Sequence, residues 1–125
     1  MPQVEAGACE RPVIGISAMA MRDTLVHGET AFLAGIDREI LIKEAILGDE
    51  SGYEKNHRVV FDPPRTADYR ASVPDIARYL LELMENPGLR ETFGRAARQR
   101  VVEKYDYRVV ARQFLKIISE RLGIY

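Results

Sequence analysis

"PVIGIS", residues 12–17, is nearly continuous in apolar and β-branched residues instead of alternating them with polar ones. That is the pattern of a parallel strand buried on both faces. Pro12 is tolerated at its first position, where no ladder hydrogen bond is asked of it. Upstream, "VEAGACE" (4–10) is a run of small residues able to bring a helix close to a sheet, and Arg11 and Pro12 punctuate it. Downstream, "MRDTLVHG" (21–28) reads as one or two helical turns closed by Gly28 as the C′ residue, and "TAFLA" (30–34) as a second short buried strand. Helical and strand signals alternating over some thirty residues predict an α/β fold, with a small parallel sheet flanked by helices.

Residues 35–72 have another texture. "IDREILIKEAIL" (36–47) can be drawn as an amphipathic helix with Ile36, Ile40, Leu41, Ala45 and Leu47 on one side. "GDESGYEKN" (48–56) is polar and predicts a loop, "HRVVF" (57–61) a strand, and "DPPRTADYRAS" (62–72) an extended run, because two prolines fix φ and bias their predecessors away from helix.

The rest predicts three helices. Ser72 N-caps the first, with Asp75 completing an approximate capping box and Ile76, Tyr79, Leu80, Leu83 and Met84 forming its core face. Asn86 and Pro87 open the second, with Leu89, Phe93, Ala96, Ala97, Val101 and Tyr105 along its apolar side. Asp106 caps the third, whose stripe is Tyr107, Val110, Ala111, Phe114, Ile117, Ile118 and Leu122, and Gly123 ends it.

Composition bounds the function classes. The 125 residues carry 18 Lys and Arg against 19 Asp and Glu, a net charge of -1, so no global field gathers nucleic acid or anionic lipid. The single cysteine, Cys9, cannot form an internal disulfide; it fits a reducing compartment and reads as a small buried hydrophobe. Without a signal peptide or an apolar span in the sequence, the expected location is cytoplasmic. Asp23 and His27, four residues apart, could share a metal only with a third ligand, and they read as a surface pair. His57 falls at the start of a strand, and no general-base role is read for it. Arg90, Arg95, Arg98, Arg100, Arg108, Arg112 and Lys104 form a local basic set, read as a solvated helix face paired with Glu91 and Glu103; contact with a membrane surface is the lesser reading. Tyr79, Phe93, Tyr105, Tyr107 and Phe114 fall on core stripes and are read as packing residues.

Taken in order, "EAGACERPVIG" (5–15), "HGETAFLA" (27–34) and "PDIARYLLELMENPGLRETFGRAARQRVVEKYDY" (74–107) resemble the C-terminal, donor-binding domain of retaining GT-B glycosyltransferases, closest to family 4, the group 1 glycosyltransferases. The likeness covers residues 4–34 and 73–122, in one partial Rossmann-like domain over 1–125; residues 35–72 look like an insertion and 73–123 supply the C-terminal helices. It implies a nucleotide-sugar donor (UDP-, GDP- or ADP-sugar), no separate cofactor, no metal and no nucleic acid. Glu5 falls where the family's second donor-binding glutamate belongs and would accept hydrogen bonds from ribose hydroxyls. Met19 and Ala20 replace the glycine pair of the donor-side loop, Arg22 and Asp23 the following Pro-Glu, Ala31 the Gly after Thr, and Glu10 the Gly after Cys.

Side chains at Met19 and Ala20 would restrict φ and fill space beside the donor. The first glutamate of the motif would lie eight residues ahead of Glu5, before Met1, together with the acceptor domain and the groups that neutralise the leaving diphosphate. No catalytic residue is therefore assigned. The chain is expected to be a fragment of a sugar transferase that does not turn over alone. The rival expectation is a non-catalytic association module or relic, pairing with a missing N-terminal half or with itself through the exposed edge of the "PVIGIS" strand.

Overall fold

A computed structural model describes residues 1–48 and 56–124. Its elements are α1 (Pro2–Ala8), β1 (Val13–Ile16), α2 (Ala20–Thr24), β2 (Ala31–Ala34), β3 (Ile36–Leu47), β4 (His57–Ala71), α3 (Val73–Glu85), α4 (Pro87–Lys104) and α5 (Tyr107–Leu122). The fold is α/β, as a partial Rossmann-like domain requires: β1 and β2 pair in parallel, Val13 opposite Ala31 through Ile16 opposite Ala34.

The core lies between this sheet and α3 and α4. Phe32, Leu83 and Phe93 are buried together, with Ile14, Tyr79 and Leu89 half-buried around them. The Phe32 ring stacks on Tyr79 at 4.4 Å and meets Phe93 edge-on at 5.0 Å. Such pairs add about 0.5–1.5 kcal/mol each beyond the area they bury. On the opposite side, Met21 and Leu25 lie over Gly15 of β1. The small residues of α1 do bring a helix close, but the nearest partner is α4: a Cβ on Gly7 would come within 3.1 Å of Val101 Cγ2 and 3.5 Å of Ala97 Cβ.

Residues 36–47 are a strand, not the expected helix. Ile40 and Ile42 are half-buried while Leu41 and Lys43, which follow them, are exposed, a period of two that the helical drawing overlooked, and four isoleucines favour the pleated backbone. The partner that decides the matter is distant in sequence: β3 runs antiparallel to β4 from Ile36 opposite Ala71 to Leu47 opposite His57. The "HRVVF" strand thus continues through the proline run. Between the Ile42–Arg65 and Glu44–Val60 pairs, Phe61, Asp62, Pro63 and Pro64 fall out of register, since a proline nitrogen has no hydrogen to give the ladder. The loop expected over 48–56 lies largely outside the described residues.

Caps follow the sequence in part. Ser72 Oγ accepts from Asp75 N at 3.3 Å, Asp106 accepts from Arg108 N at 2.9 Å, and Gly123 closes α5 in the left-handed conformation. Asn86 precedes Pro87 at the start of α4 but makes no side-chain cap hydrogen bond. Gly28 has positive φ but sits in the turn before β2, four residues past the end of α2.

Burial departs from the expected stripes. On α3 only Leu83 is buried; Ile76, Leu80 and Met84 are exposed. On α5 nothing is buried, and Tyr107, Val110, Phe114, Ile117 and Leu122 face outward. An apolar stripe at helical spacing predicts a face that can pack, and on α5 the rest of the fold does not reach it. Cys9 is exposed as well, in the turn that follows α1.

The basic set is not simply a solvated face. Arg90 Nη1 donates to the Leu83 and Met84 carbonyls at 2.5 and 2.8 Å, Arg98 Nη1 donates to the Ala8 carbonyl, and Arg100 donates to Thr24 and Asp23 carbonyls, both at 2.9 Å. Three arginines of α4 therefore satisfy the carbonyls at the ends of α3, α1 and α2, groups that each helix leaves without internal partners. Arg95 pairs with Glu91 as expected, at 3.5 Å, whereas Glu103 accepts from Gln99. Among the described residues no helix is long and apolar enough to cross a membrane.

Candidate functional site

The sheet orients the site. In parallel α/β structure, ligands bind outside the carboxyl ends of the strands, where chains turn away to opposite sides. Here β1 ends at Ile16 and its chain turns through Ser17, whose N–H donates to the Ala34 carbonyl at 2.7 Å, tying the loop to the end of β2. A pocket of about 280 Å³ opens beside this loop, lined by Gln3, Ile16, Ala18, Met19, Ala20, Met21, Asp68 and Tyr69.

The loop wall has a local cause. Met19 N-caps α2 with φ 51° and ψ -143°, close to a region that side chains other than glycine's rarely enter. The backbone therefore keeps a glycine-like turn although a methionine occupies it, and the 75% exposed side chain projects from the turn at the pocket's rim. Glu10, another residue in a glycine place, also has positive φ, 56°. Of the two positions where a side chain is expected to restrict the backbone, Met19 meets it by positive φ, while Ala20 begins α2 without one.

Behind the loop, Gln3 is buried and its amide donates to Thr24 Oγ1 at 3.3 Å, while Thr24 Oγ1 donates to the Ala20 carbonyl at 3.0 Å. Arg100 holds the outer carbonyls of the same short helix. These contacts from α1 and α4 fix α2, and with it Met19 and Ala20.

The hairpin β3–β4 supplies the last wall. It leaves from the carboxyl end of β2 and returns to it: Ser72 N donates to the Gly35 carbonyl at 2.8 Å, and Gly35 N donates to Asp75 Oδ2 at 2.9 Å. Tyr69 is half-buried, and its N–H donates to Asp68 Oδ1 at 2.8 Å. Their place in the pocket follows from a long-range return that no local pattern announced.

Met19 and Ala20 thus come together at the pocket. Glu5 does not join them: it is exposed on α1, two residues beyond Gln3, and its carboxylate lies 3.5 Å from the N-terminal ammonium. Gln3, Asp68 and Tyr69 were not singled out from sequence. Asp23 and His27 do not form a helical pair, because α2 ends at Thr24; His27 Nδ1 accepts from Leu33 N at 2.9 Å and its ring packs against Phe32 and Tyr79. Among the described residues no three His, Cys, Asp or Glu side chains gather to hold a metal.

No curated protein and no solved structure matches the chain. The profile of a family described as glycosyl transferase-like matches residues 2–116, which takes in α1, the parallel pair with its pocket, the hairpin and most of the C-terminal helices. The chain belongs to the glycosyl transferase-like family.

Proposed function

We propose that this chain forms one wall of the donor site of a nucleotide-sugar-dependent glycosyltransferase of GT-B architecture, in the retaining group 1 branch of family 4. The observation that carries the reading is the glycine-like turn at Met19, held at the carboxyl end of β1 in a chain of the glycosyl transferase-like family. The order of motifs over 5–15, 27–34 and 74–107 supports the finer branch. On this reading Glu5 accepts hydrogen bonds from the donor ribose hydroxyls, a role that its exposure leaves open to it, and Met19 and Ala20 border the donor on the loop side.

Glycosyl transfer builds negative charge on the leaving diphosphate, which must be neutralised by cations or backbone N–H groups. Among the described residues no lysine or arginine lines the pocket; on this reading that neutralisation comes from other groups, and this chain alone is not expected to turn over. Donor binding is tested by calorimetric titration of the chain with UDP, GDP and ADP. Saturable binding of one of them, weakened about tenfold or more in Glu5→Ala, supports the reading; a loss of 1.4 kcal/mol corresponds to that factor. Binding of none, or binding indifferent to Glu5→Ala, contradicts it.

A further inference from the structure

We propose that the chain pairs with a second copy of itself through α3 and α5: the basic, apolar-striped α5 of one copy lies antiparallel on the acidic, apolar-striped α3 of its partner, and the two-fold axis repeats the contact. The pairing involves neither the Met19 loop nor its pocket and stands apart from the donor reading.

Both helices carry an apolar face that their own fold leaves uncovered, the mark of an interaction surface. On α3, Ile76, Leu80 and Met84 follow one another at helical spacing and are exposed. On α5 no residue is buried; Phe114 and Leu122 are exposed, with Ile118 half-buried between them. Leu80 and Met84 also line, with Pro12, Leu83 and Arg90, a hollow of about 390 Å³. Arg90 is engaged there by the Leu83 and Met84 carbonyls, so the hollow suits an apolar side chain of aromatic size.

Charge selects the partner. Val73–Glu85 holds three acids and one arginine, Tyr107–Leu122 four cations and one glutamate. Laid antiparallel with Met84 opposite Phe114, Leu80 opposite Ile118 and Ile76 opposite Leu122, the helices set Glu85 beside Arg112, Glu82 beside Lys116 and Arg78 beside Glu120, all on the same side of the apolar seam. Glu82 and Glu85 have no ion pair among the described residues. They stand at the C-terminal end of α3, whose last turn carries no basic residue and where the helix dipole disfavours acids. Arg112 and Lys116 of the second copy bring cations to that end. A parallel arrangement puts the charged flanks on opposite sides of the seam, and an anionic lipid surface attracts α5 but repels α3.

The test is sedimentation velocity of the full chain from micromolar to submillimolar concentration, for the parent sequence, Phe114→Ala, Arg112→Glu, and Arg112→Glu combined with Glu85→Arg. Phe114 and Arg112 are exposed, so these changes leave the core untouched, and circular dichroism checks the fold of each. A concentration-dependent dimer, weakened about tenfold or more by Phe114→Ala and by Arg112→Glu and recovered in the double variant, supports the pairing. A chain that stays monomeric throughout overturns it, whether or not α5 then binds vesicles of phosphatidylglycerol. A dimer indifferent to Phe114→Ala or to Arg112→Glu, or one that Glu85→Arg fails to restore, also overturns it and moves the contact to another surface, such as the free edge of β1.

Discussion

The carbonyl oxygen of Glu10 occupies the place that a side chain at position 94 would need: a Cβ built on Gly94 falls 2.2 Å from it. Helix α4 can lie against the turn after α1 only because residue 94 has no side chain, and because Glu10 accepts positive φ to aim its carbonyl there. Gly94→Ala is predicted to destabilise the fold by about 1–3 kcal/mol, the usual cost of overpacking where backbone must move. Urea denaturation measures it; an unchanged midpoint would mean that the two segments are not in contact.

Met19 and Glu10 stand in glycine-like backbone. Met19→Gly is predicted to stabilise the chain by about 1–2 kcal/mol, since relief of the unfavourable φ and ψ exceeds the added freedom of the unfolded chain. Met19→Ala keeps the strain and should gain nothing. Glu10→Gly should gain less, about 0.5–1 kcal/mol, because the left-handed region costs an ordinary residue about 1–2 kcal/mol and glycine's entropy offsets part of that. Thermal melts of the three variants check the order.

Arg100 links α4 to the loop helix. Arg100→Met keeps much of the apolar stem but leaves the Asp23 and Thr24 carbonyls without its two hydrogen bonds. The expected loss is about 2 kcal/mol, typical of hydrogen bonds from a charged donor. Hydrogen exchange should show the loss concentrated in residues 20–25, whereas a uniform loss of protection would contradict a local clasp.

Phe93 is the most buried of the core aromatics, 3% exposed, and packs on Phe32 and Leu83. Phe93→Ala is predicted to cost about 3–5 kcal/mol, a large share of the stability of a domain this size. Urea denaturation read by circular dichroism measures the loss. A cost under 1 kcal/mol would show that the sheet is held otherwise.

Hydrogen bonds from the Arg108 side chain and backbone N–H hold the Asp106 carboxyl below its ordinary 3.8, and Arg108 is raised in turn. A depressed acid contributes stability above its unfolded value, and that contribution is lost as pH falls through the lower folded value. The start of α5 should therefore keep its amide protection down to about pH 3.8 and lose it below that. Asp106→Asn should remove this acid dependence. Amide shifts of Arg108 and Val109 followed against pH report it, and a transition above 3.8 would contradict the sign.

Local signals were legible where local chemistry decides the structure. The unbroken apolar run at 12–17 became β1, Ser72 and Asp106 became caps, Gly123 became a C-cap, and the stripe of α4 met the core. Residues 36–47 were not legible, because their isoleucines satisfy either period and the choice rests on pairing with a strand beyond the 48–56 segment. The outward stripe of α5 is the converse case: its pattern is genuine, but burial depends on which neighbour reaches it. At the site, resemblance pointed to Met19 and Ala20 and to Glu5, while Gln3, Asp68 and Tyr69 carried no spacing or residue type that would single them out. Arginines 90, 98 and 100 looked like surface charge because a sequence does not show which helix ends lie across from them.

The most direct test of the donor-site account is a map of amide shifts during titration of the whole chain with UDP and GDP. The account predicts saturable shifts confined to residues 4–24, centred on Glu5 and the Met19 turn and abolished in Glu5→Ala while the rest of the spectrum is preserved. A folded spectrum that neither nucleotide moves, or shifts that fall on α4 and α5 instead, would contradict it.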